Sequence, residues 1–269
     1  MFTLVLPRLV TFEGWGRRSG SVVERNVATL RTAYWIVLAT GFLEPVLYLF
    51  SIGIGVGRLV GPLTLPDGQV VKYATFVAPA MLAASAMTGA LSETTFNFFG
   101  KMKFMKLYDG MLATPVRPME IALGELAWAM VRGNIYAAAF LVIMVVMGLT
   151  TAGLAVVAFF AALLVGFAFG GLGMAASTFM RSWQDFDLMG SAQFTLFLFS
   201  GTFVPATSYP EVLRWVVEAT PLYRSVDLIR GVTTASWNLT QVVDVLYLIA
   251  LFLIGLAIAG RRMGKLLCK

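Results

Sequence analysis

Histidine is missing from all 269 residues, and cysteine occurs once, at Cys268. Without histidine there is no Ser-His or Cys-His catalysis and no histidine-bearing zinc site. A single thiol excludes an internal disulfide. Charge is scarce too: 13% of residues are Asp, Glu, Lys or Arg, against about 25% in ordinary soluble domains. No GxxxxGK[ST] phosphate loop occurs. Gly100-Lys101 and Gly264-Lys265 lack both the leading glycine and the trailing Ser/Thr, so the chain does not bind ATP in that manner by itself. The acidic residues show no metal-ligand spacing and do not converge at one depth, which counts against a membrane-embedded enzyme of lipid metabolism.

What the chain has in abundance is apolar length. Hydrophobic residues make up 59% and the mean hydropathy is +0.83, outside the soluble range of about 45–50% apolar. The expected class is an all-α integral membrane protein. Its net charge of +6 reads as a topology signal and an attraction to anionic lipid rather than to nucleic acid. Residues 1–31 read as a tail in which Val23, Val27 and Leu30 share one face of a helix lying at headgroup level. Six apolar segments follow, near 33–57, 73–99, 121–147, 152–179, 188–204 and 241–260, each close to or above the roughly 20 residues a crossing needs. Together they form a transmembrane domain over 32–260, followed by a basic tail, 261–269.

An even number of spans puts both termini on one side. Arg8, Arg17, Arg18, Arg25, Arg31, Lys101, Lys103, Lys106, Arg117, Arg181, Arg261, Arg262, Lys265 and Lys269 fall on that side. Only Arg58, Lys72, Arg214, Arg224 and Arg230 fall on the other, and Arg132 lies within a span. The positive-inside rule then makes both termini cytoplasmic, in the plasma (inner) membrane.

The 91–125 stretch is a polar island between two apolar runs. Inside it Phe104, Leu107, Tyr108, Met111 and Leu112 recur three and four residues apart. A short amphipathic helix at about 103–113, in a loop between spans, is a candidate docking knob for a soluble partner. Several polar groups sit where lipid would penalise them: Glu44 before Pro45, Glu93, Glu125 and Arg132, and Asp244. They are either pathway and gating residues or structural pairs. Gly166, Gly170, Gly171 and Gly173 have the small-residue spacing of close helix packing. Gly53, Gly55 and Gly57 end a span, with no soluble strand before them, and do not form a dinucleotide loop. Between 205 and 231, Pro210 and Pro221 fit first helical turns, Ser208 and Thr220 are nearby caps, and Gly231 fits a stop. Two short helices, about 210–219 and 221–230, are expected on the non-cytoplasmic side.

Taken in order, FLEPVLYLFSIGIGVG (42–57), FVAPAMLAASAM (76–87), YDGMLATPVRPMEIALGELAWA (108–129), FAFGGLGMAAST (167–178), FSGTFVPATSYP (199–210) and PLYRSVDLIRG (221–231) resemble the permease subunits of type-2 ABC exporters, in the nodulation-factor and daunorubicin-resistance branch. Glu44 is one departure, since the family favours Asp before that proline. The resemblance implies a six-span half-transporter that pairs with a second copy or a paralogue and with two cytoplasmic ATP-binding subunits. Those subunits use the ATP and Mg2+; the permease binds no cofactor directly. The resemblance also makes Phe104–Ala113 with the following TPV (114–116) the coupling helix, adding Pro115 to its contact set, and makes the two short helices re-entrant.

The expected function is ATP-driven export, by alternating access, of an amphiphilic or lipid-like cargo such as a drug, a glycolipid or a lipid-linked saccharide. Phe197 and Phe203 in the fifth segment, with Glu44, Glu93 and Arg132, are the pathway or gating candidates; packing is the competing reading for the rings. The alternative function is a gradient-driven secondary transporter or channel using Glu44 and Asp244, although no internal repeat supports it.

Overall fold

The computed structural model describes residues 49–64, 68–114 and 116–267, with single positions at 20, 22, 23, 26, 43, 46 and 47. The 1–31 interfacial helix and the first span therefore lie mostly outside the described residues, as do Glu44 and Pro115.

Helix α1 (49–60) is π-wound over Leu49–Val56 and stops at Gly61, whose φ of 76° suits glycine. A two-residue antiparallel pairing, β1 (Leu63–Thr64) with β2 (Val70–Val71), leads into the long helix α2 (Tyr73–Phe104). Thr94 and Thr95 donate their hydroxyls back to the carbonyls of Ala90 and Leu91, at 2.7 and 2.6 Å, where α2 widens into π turns. The short helix α3 (Leu107–Leu112) and the long helix α4 (Pro118–Val146) follow. Proline opens α4, and the Glu120 carboxylate accepts the Arg117 N–H at 2.8 Å, satisfying an otherwise orphaned donor. Thr151 caps α5 (Ala152–Ser177). The remaining helices are α6 (Asp185–Leu198), α7 (Glu211–Ala219), α8 (Pro221–Thr233) and α9 (Leu239–Leu267).

Among the described residues four helices are long and apolar enough to cross a membrane: Tyr73–Phe104, Pro118–Val146, Ala152–Ser177 and Leu239–Leu266. The expected fifth span differs. Helix α6 has 14 residues, about 21 Å at 1.5 Å per residue, less than the roughly 30 Å of a hydrocarbon core. It ends because Gly201 turns the chain at φ 67°, with Ser200 and Thr202 buried beside it. A Cβ on Gly201 would stand 3.3 Å from the Tyr223 ring of α8.

The helix pair after that turn follows the expected punctuation, with Thr220 accepting the Tyr223 N–H at 3.3 Å ahead of Pro221. Gly231 differs from its expected role. Helix α8 runs through it to Thr233, and its missing side chain leaves room for Gln241 of α9.

Helix α5 is the centre of the bundle, packed by α2, α4, α8 and α9. Its glycines make this possible. A Cβ on Gly170 would stand 2.6 Å from Leu126 of α4, and one on Gly173 would stand 2.9 Å from Leu91 of α2. On the α9 side the two backbones touch, since a Cβ on Gly255 would stand 2.5 Å from the carbonyl carbon of Gly171. Gly255→Val is expected to lower the unfolding midpoint of the detergent-purified protein by several degrees, an overpacking cost of about 1–3 kcal/mol. Gly133→Ala, whose Cβ meets open space, leaves the midpoint unchanged. A Gly255→Val protein as stable as the parent would remove this crossing from the packing account.

Candidate functional site: the end of the bundle that carries α3

The polar island is not one continuous helix. Helix α2 runs through Phe104, and the backbone then breaks at Lys106, which takes a left-handed φ of 45°. Phe104 therefore belongs to the end of α2, while Leu107, Tyr108, Met111 and Leu112 belong to α3.

The apolar face of α3 also points differently from the expected docking face. Tyr108 is fully buried, its ring 5.3 Å from that of Phe98. Leu107, Met111 and Leu112 are half-buried and pack on the same core. The α3 tip instead exposes Met105, Lys106, Asp109, Gly110, Ala113 and Thr114. The amphipathic period is thus real, but it seats α3 on its own protein and turns a mixed surface of Met105, Lys106, Asp109 and Thr114 outward.

Phe104 is 59% exposed and stacks on Trp183 at 5.0 Å, with 18° between the ring planes. Trp183 also meets Phe96 at 4.8 Å, Phe99 at 5.6 Å and Phe186 at 5.4 Å. Phe99 closes the group against Phe186 at 5.2 Å. Three rings from the tail of α2 and two from the 180–187 turn thus form one cluster. The turn is held by Asp185, whose carboxylate accepts the backbone N–H groups of Arg181 and Ser182 at 2.6 and 3.2 Å. Those two donors hold the Asp185 carboxyl below its ordinary range. Sequence reasoning missed this cluster. Its signal was the Trp183–Phe186 spacing in an otherwise polar turn.

Charged groups below the tip cross-link α2 to α4. Lys101 Nζ lies 2.5 Å from Glu125 Oε2, and Asn26 donates to the same oxygen at 3.2 Å. Lys101 also donates to Asn26 Oδ1 at 3.3 Å. Eight residues back on α2, Glu93 pairs with Arg132, seven residues beyond Glu125 on α4. The acid leads in one pair and the base in the other, so the two antiparallel helices are clasped at two levels with opposite polarity. Of the two readings open for Glu93, Glu125 and Arg132, the structural pair is the arrangement found. Lys101, which as a sequence feature reads as a topology signal, faces inward.

At the opposite end of the bundle Phe197 and Phe203 meet edge to face at 5.4 Å, and Tyr73 donates to the Phe203 carbonyl at 3.3 Å. Arg230 of α8 lies 3.9 Å above the Phe76 ring and donates to the carbonyls of Phe76 and Gly201. It thereby ties α8 both to α2 and to the turn after α6. Asp244, fully buried on α9, accepts from Arg224 of α8 at 3.0 Å. Phe197 and Phe203 thus lie together at this end, far along α2 from Glu93 and Arg132; the structure does not bring these four gating candidates to one place, and Glu44 lies outside the described residues.

Four long apolar helices packed about the glycines of α5, with a short helix presented beyond the bundle by a backbone break, are the architecture of a polytopic membrane protein. The chain belongs to the ABC-2 type transporter family, which matches residues 20–234. It is 31% identical to Nodulation protein J of Rhizobium leguminosarum bv. viciae over 250 residues, 91% of this chain and 95% of that protein. It is 32% identical to the bv. trifolii protein of the same name over 252 residues, 90% and 93% of the two chains. Nodulation protein J of Rhizobium meliloti (strain 1021) is 30% identical over 217 residues, 80% and 81% of the two chains.

The clasp is open to a double-mutant cycle. Arg132→Met is expected to destabilise the protein by about 3–5 kcal/mol, because it leaves Glu93 without its partner. Glu93→Gln combined with Arg132→Met recovers most of that loss, read as the unfolding midpoint in detergent. Additive losses would mean that the two side chains do not act as a pair.

Proposed function

We propose that this chain is the membrane permease of an ATP-driven exporter whose hydrolysing subunit is a separate cytoplasmic protein. Family membership carries the class. The energy source follows from the missing phosphate loop: a pump built on this chain takes its ATP and Mg2+ chemistry from a partner. The termini and the α3 tip are cytoplasmic in this reading, as the Lys and Arg distribution indicates. A second copy or a paralogue completes the membrane part, in the inner membrane of a bacterium.

The observation that supports the docking site is the tip itself. Lys106 breaks the helix, and the buried Tyr108 anchors α3 directly after the break, so Asp109, Gly110, Ala113 and Thr114 stand out from the bundle on a fixed base. A small, stiffly mounted surface of this kind fits a groove on the ATP-binding subunit. Closure of two such subunits on ATP displaces the tip. It biases the spans between inward- and outward-open packings by as much as its affinity differs between them.

For the cargo, we propose an amphiphilic molecule with a lipid-like portion, such as a glycolipid or a lipid-linked saccharide. The resemblance to the nodulation-factor and daunorubicin-resistance branch of exporters supports this choice over a small polar solute. The paired rings of Phe197 and Phe203 offer an apolar surface for it at the far end of the bundle.

Ala113→Trp or Asp109→Arg at the tip is expected to cut co-purification of the ATP-binding subunit at least tenfold, leaving the unfolding midpoint within about 1 °C because surface changes cost little. Tyr108→Ala instead costs about 3 kcal/mol of stability. Full retention of the ATP-binding subunit by both tip variants would contradict this docking face.

A further inference from the structure

Helix α6 is poorly held by the rest of the bundle, since none of its residues is buried. Leu188, Phe194 and Leu198 stand 76%, 65% and 46% exposed along it. Among the described residues it meets α8 and, through side chains, α2. Gln193 donates to Thr88 of α2 at 2.7 Å, midway along. At the end of the helix nearest α3, Phe186 enters the ring cluster on the α2 tail, with Trp183 beside it. The far end is caught by the Phe197–Phe203 contact and by the turn that Arg230 pins.

These contacts do not rank equally. A lone amide–hydroxyl hydrogen bond contributes about 1 kcal/mol. Aromatic pairs at 4.5–7 Å contribute about 0.5–1.5 kcal/mol each beyond their burial, and Trp183 alone makes four: Phe96, Phe99, Phe104 and Phe186. One of the four, Phe104, lies two residues from the Lys106 break and is the last side chain of α2 before the α3 tip. The turn carrying Trp183 is short and is stiffened by the two Asp185 hydrogen bonds. Rings in contact and a turn tied by two hydrogen bonds therefore join the α2 tail to α6.

We propose that Trp183 is a positioning residue that makes α6 follow the α2–α3 end of the molecule, so that movement imposed at the tip becomes movement of the exposed face of α6. Trp183 acts through Phe104 and Phe186. The proposal rests on the ATP-driven reading for the origin of the movement, while the mechanical link between α2 and α6 stands on the ring geometry alone.

Two measurements separate these dependences. Purified complexes of parent, Trp183→Ala and Trp183→Phe are compared for retained ATP-binding subunit, ATP hydrolysis and transported amphiphile in vesicles. Trp183→Ala is expected to keep the subunit and its hydrolysis within twofold while transport per ATP falls at least tenfold; Trp183→Phe restores most of it. An unchanged transport-to-hydrolysis ratio in Trp183→Ala would overturn the proposal. The second measurement needs no nucleotide: amide exchange over residues 185–198 of the permease rises at least tenfold in Trp183→Ala and far less in Trp183→Phe. Exchange indistinguishable from the parent would show that the rings do not hold α6, whatever drives transport. A parent permease that retains no ATP-binding subunit contradicts the ATP-driven reading, and the exchange result then decides the link by itself.

Discussion

Close backbone contact along α5 is the constraint on which the other packing depends. Lipid tails are as apolar as leucine, so helices in a bilayer gain little from hiding apolar side chains from their surroundings. Association comes from contact and from hydrogen bonds, and contact grows as backbones approach. Gly170, Gly171 and Gly173 remove side chains from three directions of α5, admitting α4, α9 and α2 respectively. Gly255 removes the obstacle on the α9 side, bringing two main chains together. With α5 so enclosed, α2 and α4 lie alongside one another, and their charged residues can meet as ion pairs rather than face lipid.

The two ends of the bundle are then built from different chemistry. At the α3 end, paired charges clasp α2 to α4, and rings join α2 to the turn before α6. Charges buried in low dielectric are costly to separate, so ion pairs hold α2 to α4, while ring contacts hold α2 to the turn that leads into α6. At the other end Arg230 holds α8, α2 and the turn after α6 through carbonyl oxygens and the Phe76 face. Helix α6 thus runs between two anchored ends, with the Gln193–Thr88 hydrogen bond between them.

Much of the fold was legible in the sequence because membrane helices must satisfy their own backbone and so declare themselves as long apolar runs. The α5 glycines announced their role by spacing, and Thr220-Pro221 announced the start of α8. The Lys106 break carried no such signal, because the left-handed residue is a lysine rather than glycine or asparagine. That missing signal is why the spacing of Phe104 with Leu107 and Tyr108 reads as one helix. The period also says which residues share a face but not whether the face meets its own protein or another; Tyr108 and Leu112 turned inward. The fifth segment looked long enough to span because Phe199, Phe203 and Val204 extend its apolar run past the helix end at Leu198. The contacts of Trp183 and Lys101 are tertiary: the Trp183–Phe186 spacing marks an aromatic turn, but no local pattern names its partners on α2.

The competing account is a carrier driven by an ion gradient. The acid it would use, Asp244, is fully buried and paired with Arg224 across the α8–α9 contact. The most direct discriminating measurement is export of a fluorescent amphiphile from vesicles holding the permease and its ATP-binding subunit, with every ion gradient collapsed by ionophores. ATP-driven coupling predicts that export continues with ATP and stops with a non-hydrolysable analogue. Export that ceases with the gradients, or that proceeds on a gradient alone without nucleotide, would contradict it.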